Sequence, residues 1–326
     1  MQTSLDQLRA LSVIVADTGD LDAIRTLKPV DATTNPSLVL KAAELPRHRG
    51  LVDDAIDWAV STRSDPRQLL RLAAERLAVL IGREAVRLVP GRVSTEIDAR
   101  LSFSTEASVS AAERLIAAYE DLGVDRSRIL VKIAATWEGI QAARRLQQRG
   151  VDCNLTLVFN DCQADAAADA GAFLISPFVG RVTDWHRAKA GSGETLVDDP
   201  GVAFVRGVHR RFKQQDRRTI VMAASFRTIE QVLALAGCDR LTVSPDLLAQ
   251  LDADSRQVGA MGEETPASQQ SLDPVAESEF RLRLNADAMA SEKLAEGIRG
   301  FIADTERLEA LMGAIVAKRT SARLSA

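Results

Sequence analysis

A lysine set inside an apolar strand pattern is the residue of this sequence that most plainly calls for a chemical role. Ile129, Leu130, Val131, Lys132, Ile133 and Ala134 read as a short buried strand interrupted by one ammonium group. Such a charge either finds a carboxylate partner or gives up its proton, and a neutral amine attacks carbonyl carbon to form a Schiff base. Taken alone, a lysine in this position more often snorkels from a strand end or joins an ion cluster. Other reactive types stand at comparable places. Asp17 and Glu96 each appear where an apolar strand pattern stops, and Asn154 and Thr156 lie two apart, on one face of another strand. Two acids near an amine suit proton transfer. The Asn154/Thr156 pair fits either a wet interior site or a buried, mutually satisfied hydrogen-bonding pair.

These residues need a scaffold that gathers several strand ends. Strand patterns recur over residues 12–16, 30–37, 92–98, 129–134, 151–158, 172–181, 219–224 and 240–245, the sixth breaking at Pro177. Helical spacing and cap residues predict helices over about 5–11, 21–27, 47–62, 66–82, 106–122, 137–149, 161–170, 200–214, 228–236 and 290–317. Pro36 argues against a helix through Asn35, so the second strand is read as ending in a polar turn. Residues 190–194 read as a glycine-bearing linker, 252–278 as an exposed polar loop and 318–326 as a flexible tail. The alternation is that of an α/β fold, a closed eight-stranded parallel (β/α)8 barrel with additional helices. Residues 1–326 are expected to form a single barrel domain, ordered over about 5–317. Barrel chemistry sits at the carboxyl ends of the strands, and Asp17, Asn35, Glu96, Lys132, Asn154, Thr156, Ser176 and Arg227 all fall at or near those ends. An open doubly wound sheet is the competing arrangement, but no G-x-G-x-x-G turn follows the first strand.

Composition narrows the classes of function. With 46% hydrophobic and 26% charged residues the 326-residue chain has the balance of a soluble protein with a sizeable core. A net charge of −4, dispersed basic residues and only 4% aromatics disfavour nucleic-acid binding. The start of the chain has no basic segment followed by an apolar one, and no uncharged run reaches membrane-span length, so a cytoplasmic protein without membrane contact is expected. Cys153, Cys162 and Cys238 lack any C-x-x-C spacing, and His48, His186 and His209 are scattered, so neither disulfides nor a metal site is indicated.

With these residues in place, the chain resembles the transaldolases of the pentose phosphate pathway. Residues 31–37 match the first signature of that family and 129–146, with Lys132 inside, the second. Agreement extends through 13–20, 89–96, 153–157, 175–181 and 224–227, and spans about 8–316 in all. The resemblance implies an eight-stranded barrel, a homodimer, sugar phosphate substrates and no metal or organic cofactor. It also implies roles. Lys132 would form a Schiff base with the C2 carbonyl of a ketose, and Asp17 would take the proton from the C4 hydroxyl during cleavage. Glu96 and Thr156 would hold a water that shuttles protons while the carbinolamine forms and dehydrates. Asn35, Asn154 and Ser176 would bind the dihydroxyacetone hydroxyls, while Arg181, Arg227 and Ser225 would grip the phosphate, a task that suits the guanidinium fork.

Three departures from the family pattern bear on this. Asn160 and Asp161 follow Phe159 where a serine and an aromatic are usual, Ala223 replaces a glycine, and the 188–199 connection is short. The first of these puts donor preference, though not reaction class, in question. Phe178 agrees with transaldolases, whereas a tyrosine there would suit the related fructose 6-phosphate aldolases. The expected activity is therefore transfer of a dihydroxyacetone unit from sedoheptulose 7-phosphate to glyceraldehyde 3-phosphate. An aldolase that releases dihydroxyacetone, and a catalytically idle binding protein of the same fold, are the alternatives.

Overall fold

Eight short parallel strands close on one another in chain order. The computed structural model describes residues 2–62, 65–190, 199–262 and 274–324. Its strands are β1 (Val13–Asp17), β2 (Asp31–Thr33), β3 (Val93–Glu96), β4 (Ile129–Ala134), β5 (Cys153–Val158), β6 (Leu174–Pro177), β7 (Ile220–Ala223) and β8 (Arg240–Val243). Each pairs with its sequence neighbour, and β8 pairs back onto β1, so the expected closed (β/α)8 barrel is the fold. Every residue of β4 and β5 is buried, as in a sheet covered by helices outside and packed with side chains inside. No helix among the described residues is long and apolar enough to cross a membrane.

Register decides which residues meet. Asp17 lies beside Thr33, which lies beside Ser94 on β3. One level along, Glu96, Lys132 and Asn154 stand side by side on β3, β4 and β5, and Ala134 pairs with Thr156. Beneath these polar positions Val15, Leu130, Leu174 and Met222 form an apolar plug. At the amino ends of the strands, the buried Asp31 pairs with Arg240 and accepts a hydrogen bond from the Arg92 amide at 2.6 Å. The apolar plug and this pair thus fill one end of the barrel, and its polar positions lie toward the other.

Helix starts account for several differences from the sequence reading. Pro36 opens the helix Pro36–Glu44 at its first position, where the missing N–H costs nothing, and Asn35 caps it by accepting from the Leu38 amide at 3.0 Å. The segment from Val179, expected to continue the sixth strand, is instead the helix Val179–Ala190, so Arg181 sits in a first helical turn. Pro245–Ala253 and Glu277–Ala286 are helices too, shortening the loop expected over 252–278. Residues 191–194 of the expected linker and 263–273 of that loop lie outside the described residues. The closing helix runs Ala288–Leu324 rather than ending at 317, and Arg319 pairs with Asp53 and Asp57.

The Asp31–Arg240 pair offers a test of how the barrel is held shut. Removing one partner of a buried pair strands the other charge, so Asp31→Ala is expected to cost about 3–5 kcal/mol of unfolding free energy. Combining it with Arg240→Met is expected to cost less than the single change. Urea denaturation of the two variants checks the order.

Candidate active site

The carboxyl ends of the strands open onto a cavity of about 310 Å³. Nine of the eleven expected site residues line it: Asp17, Asn35, Lys132, Thr156, Ser176, Phe178, Arg181, Ser225 and Arg227. The other two, Glu96 and Asn154, stand behind the lining and act on it through their neighbours.

Lys132 is 5% exposed, and its ammonium has two partners. Nζ donates to the Thr34 carbonyl at 3.2 Å and lies 3.4 Å from Glu96 Oε2. Parallel pairing of β3 and β4 places Glu96 and Lys132 at one level, so the contact follows from register. Burial pushes the Glu96 carboxyl up to about 7, against the pull of the Lys132 charge. Glu96 Oε2 and the buried Thr156 hydroxyl have no hydrogen-bond partner among the described residues.

Around this pair the polar groups are fixed by one another. Asn154 Nδ2 donates to Ser94 Oγ at 3.1 Å, and Ser176 Oγ donates to Asn154 Oδ1 at 2.7 Å. Asp17 Oδ1 accepts from Thr33 Oγ1 at 2.8 Å, and Thr33 in turn lies 3.1 Å from Thr242 Oγ1. Because the cap uses Asn35 Oδ1, the amide nitrogen is the part of that side chain left for a ligand. Next to Thr156, β5 slips register against β6 between Leu155 and Val158, and Leu157 takes a left-handed φ of 57°. Gln163 holds this irregular turn. Its Nε2 donates to the Ala135 and Leu157 carbonyls at 2.9 and 3.0 Å, and its Oε1 accepts from the Phe159 amide at 2.9 Å.

Toward solvent the lining becomes cationic. Arg181 lies over the Phe178 ring, 5.0 Å from its centroid, and 5.7 Å from that of Phe301. Burial first, and the Arg227 charge second, weaken its hold on its proton. Phe301 comes from the helix Ala288–Leu324, which approaches so closely that a Cβ at Gly297 would stand 2.7 Å from Leu157 and 3.2 Å from Arg181. Arg227 follows β7, beside Ser225, whose φ is 64°.

Two departures from the family pattern are turned away from the cavity. Asn160 caps the helix Asp161–Asp169, and Asp161 pairs with Arg211 at 3.1 Å. Ala223 is fully buried in the core, between the cavity-lining Met222 and Ala224. Sequence reasoning missed other participants. Thr33, Ser94 and Thr242 follow the same two-residue parity as Asp17 and Glu96 and were there to be found. Ser37, Lys41 and Phe301 reach the cavity only through the docking of their helices.

A buried amine, an acid of raised proton affinity beside it, a second acid and two guanidinium groups around one cavity form a site for carbonyl chemistry on an anionic molecule. The sequence model of the transaldolase/fructose-6-phosphate aldolase family matches residues 14–312. The chain belongs to this family. It is 52% identical to a protein named transaldolase from Alteromonas mediterranea, over 96% of this chain and 98% of that relative. A transaldolase from Methylobacillus flagellatus is 51% identical over 95% and 98% of the two chains, and one from Aeromonas salmonicida 51% over 96% and 99%. Membership thus agrees with the resemblance carried by residues 31–37 and 129–146.

The Glu96 carboxyl makes a prediction about pH. It binds its proton more tightly folded than unfolded, so its contribution to stability is fully present at low pH and is lost as pH rises through about 7. Between the unfolded value and about 7, the decline of the denaturation midpoint is expected to be shallower in Glu96→Gln than in the wild type. Urea titrations across that range measure the two slopes.

Proposed function

We propose that this protein is a transaldolase, moving a dihydroxyacetone unit from sedoheptulose 7-phosphate or fructose 6-phosphate to an aldose phosphate through a Schiff base on Lys132. The observation that carries the reading is the Lys132 amine, buried 3.4 Å from Glu96 in a cavity that Asp17 also lines and that two arginines border. Membership of the family and the name shared by relatives at about half identity support the same reaction.

In this mechanism the neutral Lys132 amine adds to C2 of the ketose, and the carbinolamine loses water to give an iminium. Glu96, whose proton is held to about 7, donates and recovers protons at this stage through a water shared with Thr156. Asp17 then takes the proton of the C4 hydroxyl as the C3–C4 bond breaks, and the electron pair flows into the iminium to leave an enamine. The aldose phosphate departs. When the acceptor aldehyde enters, the enamine forms the new C–C bond, Asp17 returns the proton to the nascent alkoxide, and water hydrolyses the iminium to release the product ketose.

Asn35 and Ser176 hold the three-carbon unit between the two half-reactions, with Asn154 fixing the Ser176 hydroxyl from behind, and Arg181, Ser225 and Arg227 bind the phosphate. Phe178 packs edge-on against Phe159 with centroids 5.4 Å apart and offers no hydroxyl to the enamine. That favours transfer over release of free dihydroxyacetone. Cytoplasmic location, a homodimeric state and work without a metal or organic cofactor belong to this reading, as does one barrel domain for the whole chain.

Incubation with fructose 6-phosphate followed by borohydride is expected to leave reduced dihydroxyacetone on Lys132, found by peptide mass, and none in Lys132→Ala. Identical labelling of the two proteins would reject the Schiff base. Turnover of fructose 6-phosphate is expected to need erythrose 4-phosphate, and steady release of dihydroxyacetone without that acceptor would favour the aldolase.

A further inference from the structure

We propose that Asp184 is a positioning residue for phosphate recognition: it holds the Arg227 guanidinium in the orientation that a phosphate ester requires. This rests on the reading of the cavity as a sugar phosphate site. Arg227 Nε and Nη2 both donate to Asp184 Oδ2, at 3.0 and 2.9 Å. The remaining nitrogen, Nη1, lies 3.4 Å from both the carbonyl and the hydroxyl of Ser225, which lines the cavity together with Arg227. The carboxylate therefore occupies one edge of the guanidinium and leaves Nη1 to face Ser225 and the ligand.

The helix Val179–Ala190 organises this arrangement. Gly180 lets the Arg227 stem lie across its first turn, since a Cβ there would meet the Ser225 carbonyl at 2.3 Å and Arg227 Cγ at 2.7 Å. Arg181 is the next residue, and Asp184 comes one turn on. A separate network fixes the backbone. The Arg227 amide donates to Gln231 Oε1 at 2.8 Å, and the buried Gln231 donates in turn to Asp199 Oδ2 at 2.7 Å. Thr183 Oγ1, on the same helix, donates to Asp199 Oδ1 at 2.6 Å. The backbone of Arg227 is thus anchored without Asp184, while its long, 41% exposed side chain is oriented by it.

Arg181 supplies the reason that orientation needs a partner. Two cations at one rim repel, and a half-exposed arginine with free rotamers relieves this by swinging into solvent. Asp184 offsets the repulsion and keeps the fork in place before the ligand arrives. Half-exposed ion pairs add little to stability, so changing Asp184 separates positioning from folding.

The test uses the full-length chain with Asp184→Ala and Asp184→Asn. Asparagine can still accept both N–H groups, whereas alanine cannot. Asp184→Ala is expected to raise the KM for fructose 6-phosphate, and the inhibition constant of inorganic phosphate, by about tenfold. Its kcat, and its kcat/KM for unphosphorylated fructose, are expected to stay near wild type, and Asp184→Asn is expected to recover most of the phosphate affinity. Unchanged or tighter phosphate binding in Asp184→Ala would overturn the proposal, as would an equal loss with fructose. In the wild type, failure of inorganic phosphate to compete, together with equal use of fructose and its 6-phosphate, would remove the phosphate reading and this proposal with it, before any variant is compared.

Discussion

The site depends on one contact, the Lys132 ammonium held 3.4 Å from the Glu96 carboxylate inside the barrel. Taking both charges out of water is expensive, and their attraction repays it only when geometry and further hydrogen bonds are good. Here the repayment is incomplete. The Thr34 carbonyl gives the ammonium a second acceptor, but Glu96 Oε2 has only the ion pair among the described residues, and burial dominates its shift toward the protonated form. A fully satisfied pair would hold its proton on lysine and its charge on glutamate. An under-satisfied carboxyl is held toward its protonated form by burial, which on the proposed mechanism suits Glu96 to give and take protons during imine formation.

Keeping a pair in that state requires surroundings that do not relax. The apolar plug of Val15, Leu130, Leu174 and Met222 lies beneath it, and the Asp31–Arg240 pair closes the barrel further down. Above it, the β5 irregularity holds Leu157 in a left-handed conformation that costs a non-glycine residue about 1–2 kcal/mol. Gln163 stabilises that conformation with three hydrogen bonds to the surrounding backbone. Strain of this kind persists where neighbours over-determine it. Its place is informative: Thr156, whose hydroxyl is unpartnered among the described residues, immediately precedes the strained residue.

Polar and charged residues at the ends of apolar strand patterns, with parity placing Asn154 and Thr156 on one face, made the floor of the site legible in sequence. Asp17, Glu96, Lys132, Asn154 and Thr156 were readable because each side chain's direction is set by its own short strand, and closure then brings the inward set together. Parity would equally have yielded Thr33, Ser94 and Thr242. What escaped was helical. Pro36 and Pro245 each open a helix directly after a strand end, where proline reads as a breaker unless its first-turn position is recognised. The helix Val179–Ala190 begins two residues after Pro177, so Arg181 looked like part of a strand. Phe301 and Gly297 depend on how the last helix crosses the barrel mouth, which is a matter of tertiary packing and leaves no local mark.

The same division separates the chemistry from the grip. The floor is built on strands, buried, and tied by hydrogen bonds from strand to strand, so its positions are fixed to within the precision of the sheet. The rim is built from a helix start and the turn after β7, where Ser225 has a left-handed φ and Arg227 reaches toward solvent. On the proposed mechanism, a rigid floor suits bonds that are made and broken along one short stretch of the substrate, from the imine at C2 to the cleaved C3–C4 bond. A rim of longer side chains suits a phosphate whose distance from the reacting carbon differs between a six-carbon and a seven-carbon ketose. On the proposed mechanism, binding energy gathered at the rim assists reaction only if it holds C2 against the Lys132 amine in a near-attack geometry. For that, Arg227 must reach without wandering. Its backbone is fixed by the buried Gln231, and on our proposal the half-exposed Asp184 fixes the planar guanidinium, so a difference in substrate length is taken up by the substrate chain between a fixed floor and a fixed rim.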